Sequence, residues 1–355
     1  MLQYFPTPYP DELWYSVLCR YHVRSGNLNQ ITTKNGRTGI WTLFPDNSVH
    51  DILSQLPKEI FSVRDVILNH TLFPYFSRIY PQERKQGLLD DISQGTLSGE
   101  TSGRKVTKGN MATLRACPVC RKQDKQRYGE SYWHREHQIP YMTVCPKHHC
   151  RLMDYQCKNK QEFQMGVVLP DFVFGENKPN FEVKPQEIKL SEILYEFLTL
   201  SLEKGATDGY NNLFLELEKQ GYGTTVKQHV VTLDTEKLQR DLISMFGNEI
   251  TRVCFGKHIA SYTVMKLRNW TITSPEPYAL LSTLANQEPK ITFGARLGKI
   301  PIEKRLIELR KSCTVYTKQE VAYRIGIRPM QLDNIAGKYN IEPFWYTGQR
   351  AAANG

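Results

Sequence analysis

Two short cysteine motifs constrain this chain more than anything else in it. They are Cys117-Pro118-Val119-Cys120 and Cys145-Pro146-Lys147-His148, with 24 residues between Cys120 and Cys145. A two-residue spacer lets one tight turn aim both donors at a single point. Two such turns supply the four soft or borderline donors of a tetrahedral zinc site. Four protein ligands leave no open coordination position, so such a site organises the chain and does not activate water. The expectation is one structural Zn2+ held by Cys117, Cys120, Cys145 and His148. The fourth donor is open among the adjacent His148, His149 and Cys150, of which His148 matches the two-residue spacing. His134 and His137, between the motifs, are further candidates. A plain redox pair at Cys117 and Cys120 is the alternative, and the second motif argues against it.

The chain has 355 residues, enough for two or three domains with their own cores. Its eight cysteines, half of them clustered with histidine, suit a reducing compartment, and a cytoplasmic protein is expected. No apolar run approaches the length of a bilayer span, and the N-terminus lacks the basic and apolar pattern of a secretory leader. The net charge is +10, which favours a polyanionic partner, most simply nucleic acid. Arg104, Lys105, Lys108, Arg115, Arg121, Lys122, Lys125 and Arg127 stand against Asp124 alone, so this stretch carries 8 − 1 = +7 beside the first motif. These basic residues, Arg127 aside, are the candidate phosphate contacts of the first half.

The periodicity is mostly helical. Pro6, Pro8 and Pro10 form an extended lead-in, and Asp11 is a candidate N-cap for a helix carrying Leu13, Trp14, Val17, Leu18 and Tyr21. Short helices are expected at 49–56, 62–69 and 81–93. Residues 70–76 read as an aromatic loop that joins the core. Between the motifs, Trp133 is expected to pack on the metal region, and Arg135 to reach phosphate or pair with Glu136 or another acid. Residues 161–189 read as a linker. Helical stripes follow over 190–285: Leu190, Ile193, Leu194, Phe197, Leu198 and Leu200 first, and later a helix opened by Asp234 or Thr235 and closed by Gly247. The expected organisation is a helical domain with a zinc finger over 1–160, the linker, a helical DNA-binding module over 190–311, a helix-turn-helix over 312–346 and a tail over 347–355.

The helix-turn-helix rests on its own signature. Thr317-Lys318-Gln319-Glu320 is a capping box, Gly326 makes a turn, and Arg328-Pro329 opens a second helix with proline in its first turn. Val321, Ile325, Ile327, Leu332 and Ile335 would fill the space between the helices. Arg328, Gln331, Asn334 and Lys338 would lie on the outer face, with side chains suited to base edges and phosphates. No phosphate loop and no nucleophile elbow occur, and a four-donor site is closed to substrate. The chain is therefore not expected to be an enzyme or to take a small-molecule substrate.

Phe5-Pro6-Thr7-Pro8-Tyr9-Pro10-Asp11-Glu12-Leu13, followed by Tyr15-Ser16 and Arg20, resembles the opening of the TniQ family. Cys117-Pro118-Val119-Cys120, Tyr128-Gly129-Glu130, Tyr132-Trp133, Arg135 and Cys145-Pro146-Lys147-His148 extend the resemblance. The loop His70-Thr71-Leu72-Phe73-Pro74 is similar to the TnsD branch of that family. The resemblance implies a fold that is mostly α and multi-domain: a helical, zinc-ribbon-like N-terminal domain followed by helix-turn-helix modules. It also implies a target selector that binds a double-stranded attachment site at the 3′ end of the glucosamine-synthase gene. Such a selector recruits the AAA+ ATPase TnsC, and through it the transposase. Two other readings stand beside it: an adaptor linking an RNA-guided complex to TnsC, and a free-standing zinc-containing transcription regulator.

Overall fold

A computed structural model describes residues 5–25, 45–56, 62–78, 80, 82–97, 113–158, 166–200, 209–227, 230–259, 263–264, 274–286, 332 and 336–337. The chain separates into two compact units, residues 1–296 and 297–355. The first takes in the expected zinc domain, the expected linker and most of the helical region after it. In the second, only Leu332, Ala336 and Gly337 are described. The expected helix-turn-helix at 312–346 therefore lies outside the described residues.

Helix α1, Trp14–Ser25, is the axis of the first unit. Leu13, Trp14, Val17 and Leu18 recur at helical spacing, but burial is not limited to that stripe. Every residue from Trp14 to Tyr21 is buried, Ser16 and Arg20 included. A helix buried on all sides must satisfy its polar groups internally. Ser16 and Tyr15 do so, whereas Trp14 Nε1 is buried with no hydrogen-bond partner among the described residues. Ser16 Oγ accepts from the Trp133 amide at 3.2 Å, and Tyr15 Oη donates to the Gly166 carbonyl at 2.8 Å.

Four helices follow. Asp46 caps α2 (Asn47–Leu53) and Ser62 caps α3 (Val63–His70), each side chain accepting a backbone N–H. The expected aromatic loop is instead a short helix, α4 (Phe73–Ser77), whose first turn holds Pro74, where a missing N–H costs nothing. Its aromatic side chains are buried, as expected. Helix α5 spans Gln82–Gln94, and Gly95, at φ 70°, follows it.

The metal-motif region opens with β1 (Thr113–Ala116), antiparallel to β2 (Met153–Gln156) in the register Leu114↔Tyr155. Between them lies α6 (Pro118–Tyr128), which ends at left-handed Gly129. Residues 166–184, including the one-turn helix α7 (Pro170–Val173), are strapped onto this region. Trp133 Nε1 donates to the Val168 carbonyl at 2.7 Å, and Arg121 reaches the Phe174 and Gly175 carbonyls. Helix α8 (Pro185–Thr199) buries Leu190, Ile193, Leu194, Phe197 and Leu198 of the predicted stripe, while Leu200 follows the helix as its C-cap and is half-buried.

Beyond it come α9 (Gly209–Lys219), a hairpin of β3 (Gly223–Lys227) and β4 (Val230–Leu233), α10 (Thr235–Phe246), α11 (Asn248–Phe255) and α12 (Glu276–Leu284). Asp234 caps α10 and Gly247, at φ 91°, closes it, as the sequence suggests. The hairpin is not foreseen by the helical reading. Thr224, Thr225, Val230, Val231 and Thr232 are β-branched and suit a pleated ribbon.

A buried charge network fixes the lead-in to α1. Arg20 Nη1 donates to Glu12 Oε2 at 2.7 Å and its Nε to Glu130 Oε1 at 2.8 Å. Its guanidinium lies 3.7 Å over the Tyr9 ring, which stacks on Tyr128. Burial pushes the Glu12 carboxyl up to about 7, against the pull of Arg20. Removing one partner of such a pair leaves an uncompensated buried charge, which costs more than the pair contributes. Arg20→Ala is expected to lower unfolding stability by about 3–5 kcal/mol in denaturant titration; an unchanged midpoint would contradict the network.

Candidate metal centre

The first motif straddles the start of a helix. Cys117 is the N-cap of α6, and its Sγ accepts the Cys120 amide at 3.5 Å. Unpaired N–H groups and the positive end of the helix dipole favour a thiolate there. The second motif is a reversal. The Cys145 amide donates to the Cys150 carbonyl, and the His149 amide to the Cys145 carbonyl, both at 2.9 Å. His149 occupies the left-handed region at φ 50°.

These two turns bring Cys117, Cys120, Cys145 and His148 together, with their donor atoms all within 4.8 Å of one another. The Cys120 and Cys145 sulfurs are 3.9 Å apart. His148 Nδ1 is 3.6, 3.3 and 3.5 Å from the sulfurs of Cys117, Cys120 and Cys145. A zinc ion with ordinary bond lengths requires edges of about 3.8 Å between sulfurs and about 3.5 Å between sulfur and nitrogen. The donor set can hold such an ion. Hydrogen bonds from the neighbouring thiols hold Cys117 low, while Cys145 is pushed up to about 12 by its bond to Cys117. Three thiolates in one buried place would need a cation.

The alternatives for the fourth donor are separated by geometry. His149 is exposed and faces Glu192 at 3.3 Å. The Cys150 sulfur is buried beside Cys117 at 3.5 Å, outside the four-donor group. His134 is engaged elsewhere: its Nε2 meets Asp124 at 2.9 Å and its ring stacks on Tyr132. Burial opposes its charge, yet the hydrogen bond and charge of Asp124 prevail and hold its pKa up. His137 is fully buried against the cysteine sulfurs.

The basic residues divide into two groups. Arg115 and Arg121 are buried. Arg115 pairs with Asp154 at 3.4 Å, and Arg121 with Asp171 at 3.2 Å. Lys122, Lys125 and Arg127 are exposed on α6, with Lys125 2.9 Å from Asp171. Arg104, Lys105, Lys108, Arg328, Gln331, Asn334 and Lys338 lie outside the described residues. Arg135 pairs with Asp11 at 3.0 Å and donates to the carbonyls of Leu68 and Thr71. Trp133 belongs to the main core and not to the cysteine cluster. Sequence reasoning passed over Asp171, whose carboxylate gathers Arg121, Lys125 and Ser131. It stands 40 residues from Ser131, with no local signal to reveal it.

Residues 3–152 match the family model described as TniQ. The N-terminal region of this chain is a TniQ domain. It is TnsD-like: the Transposon Tn7 transposition protein TnsD of Escherichia coli is 30% identical over 154 residues. The match covers 41% of this chain, and the chain spans 30% of that relative's length. The cysteine cluster lies inside the matched region, and so does the Arg20 network.

Cys117→Ser and Cys145→Ser are each expected to bring bound metal well below one equivalent and to lower Tm, read by elemental analysis and thermal unfolding. His149→Ala should change neither. Metal lost in His149→Ala but kept in Cys145→Ser would reverse the assignment.

Proposed function

We propose that this chain is a non-catalytic, zinc-stabilised DNA-binding target selector of a transposition system. The observation that carries the reading is a TniQ domain, similar to TnsD, built around a closed set of three cysteines and one histidine. In its full form the reading has the chain recognise an attachment site at the 3′ end of the glucosamine-synthase gene. It then recruits the AAA+ ATPase TnsC, which brings in the transposase. The net charge of +10 supports a DNA partner.

The exposed α6 residues Lys122 and Lys125, with Arg127 beside them, are the described candidates for phosphate contact. Lys125 can exchange Asp171 for a phosphate at little net cost, because an exposed ion pair is weak. Arg104, Lys105 and Lys108 extend the same basic stretch in sequence. Arg328, Gln331, Asn334 and Lys338 are the proposed base-reading and phosphate-contacting residues of a C-terminal helix-turn-helix. Arg115 and Arg121 serve the interface indirectly, Arg115 by pairing β1 with Asp154 of β2 and Arg121 by fixing α6 to the strap at Asp171, Phe174 and Gly175.

The test is binding to a labelled duplex from the 3′ end of the glucosamine-synthase gene against a scrambled duplex at physiological salt. A preference of about 10³-fold or more is expected. Equal, weak and salt-sensitive binding to both would favour an adaptor that takes its specificity from an RNA-guided partner. Replacing Lys122, Lys125 and Arg127 together by Ala is expected to weaken binding to both duplexes and to flatten the salt dependence by a slope of about 3. Arg121→Ala should instead lower Tm. The same Tm loss in the triple variant would place those residues in the scaffold.

A further inference from the structure

Around the four-donor set lies one group that the ligand count does not use. His137 sits in the short 3₁₀ turn Glu136–Gln138 and is fully buried. Its Nε2 is 3.6 Å from the Cys145 sulfur, 3.8 Å from the Cys120 sulfur and 3.6 Å from Glu136 Oε1. Its Nδ1 is buried with no hydrogen-bond partner.

Two arguments converge on this ring. Three thiolates and one neutral imidazole around a dication leave a net charge of −1 in a buried place, which is costly unless hydrogen-bond donors spread it. Cys117 has two donors at hand, the Cys120 amide and the Cys150 thiol, each at 3.5 Å. His137 is the side chain placed to serve the other two sulfurs. The second argument concerns the proton. Nε2 faces three acceptors, two sulfurs and a carboxylate, whereas Nδ1 has no hydrogen-bond partner among the described residues. A neutral imidazole carries a single N–H, and these surroundings place it on Nε2.

We propose that His137 is a positioning residue of the metal centre, whose Nε2–H donates to the Cys120 and Cys145 thiolates and holds both sulfurs toward the ion. The inference rests on the metal-binding reading above. His148 remains the nitrogen ligand, since its Nδ1 lies within 3.6 Å of all three sulfurs. Lys147 supports the arrangement from the other side. Its Nζ holds Glu136 Oε2 at 2.8 Å, which fixes the carboxylate beside the ring.

The experiment measures Zn2+ affinity of the full chain by competition with a chromophoric chelator, alongside the optical spectrum of the Co2+-loaded chain. His137→Ala is expected to weaken metal binding by about 10–100-fold. Its Co2+ spectrum should keep the signature of three sulfurs and one nitrogen. His137→Gln, whose side-chain amide can place an N–H near the same point, should recover most of the affinity.

Loss of the nitrogen signature in His137→Ala would make His137 a ligand and overturn the proposal. Affinity unchanged in both variants, with only Tm lowered, would reduce the ring to packing. Long-range ¹⁵N–¹H NMR of the zinc-loaded wild type tests the proton placement even if the variants fail to fold. The Nε2–H tautomer is expected, and the Nδ1–H tautomer would overturn the donor role. A wild-type chain that binds no zinc would instead remove the metal reading itself, an outcome distinct from all of these.

Discussion

The first unit depends on a backbone pairing between the start of the chain and the segment between the two metal motifs. Leu13 N–H donates to the Trp133 carbonyl, and Arg135 N–H to the Asp11 carbonyl, both at 2.8 Å. Asp11 turns the chain at φ 54°, a conformation that Asp tolerates better than most residues. Its carboxylate then accepts from the Glu136 amide and pairs with Arg135. The prolines before it keep the lead-in extended, so that Tyr9 reaches the Tyr128 and Tyr132 rings. The lead-in is thus held in part by polar contacts from the metal-motif region, beside the packing of Phe5 on Trp14 and Tyr21 and the contacts of Glu12 with Arg20 and His70. Stability of the lead-in, of α1 and of the cysteine turns is shared among them.

This coupling explains what could be read in the sequence and what could not. The ligand set was legible because both spacings are local: two donors per turn are visible within four residues. Helices with a single buried stripe, such as α8, and helices with a side-chain cap, such as α10, were legible for the same reason. Asp11 misled because a helix N-cap and a tertiary carboxylate look alike in a short window; its partners are 124 and 125 residues away. Arg115 and Arg121 read as candidates for phosphate because charge alone says nothing of burial. Each instead finds an acid or carbonyls inside the fold. The β3–β4 hairpin was missed because its β-branched residues lie between two strongly periodic helices.

On the proposed reading, burial of these arginines also narrows where nucleic acid would be met. Of the basic stretch near the first motif, the described part divides into an inner set that anchors and an outer set, Lys122, Lys125 and Arg127, that faces solvent. The cysteine cluster lies at the N-terminus of α6, the helix that carries the outer set. On the proposed reading, the ion contributes to recognition by holding that helix in place and makes no contact with DNA itself. The same logic assigns the motif residues Tyr9, Glu12, Arg20 and Glu130 to the scaffold, since their polar atoms pair with one another.

The claim that metal turns and N-terminal lead-in form one cooperative unit is tested most directly by amide hydrogen exchange of the zinc-loaded chain, before and after chelation. The Leu13 and Arg135 amides report the pairing, and the amides of α8 serve as the reference. The account predicts that chelation abolishes protection at Leu13 and Arg135 together, far more than within α8. Protection at Leu13 that survives complete metal removal would show that the lead-in folds without the cluster, and would contradict the account.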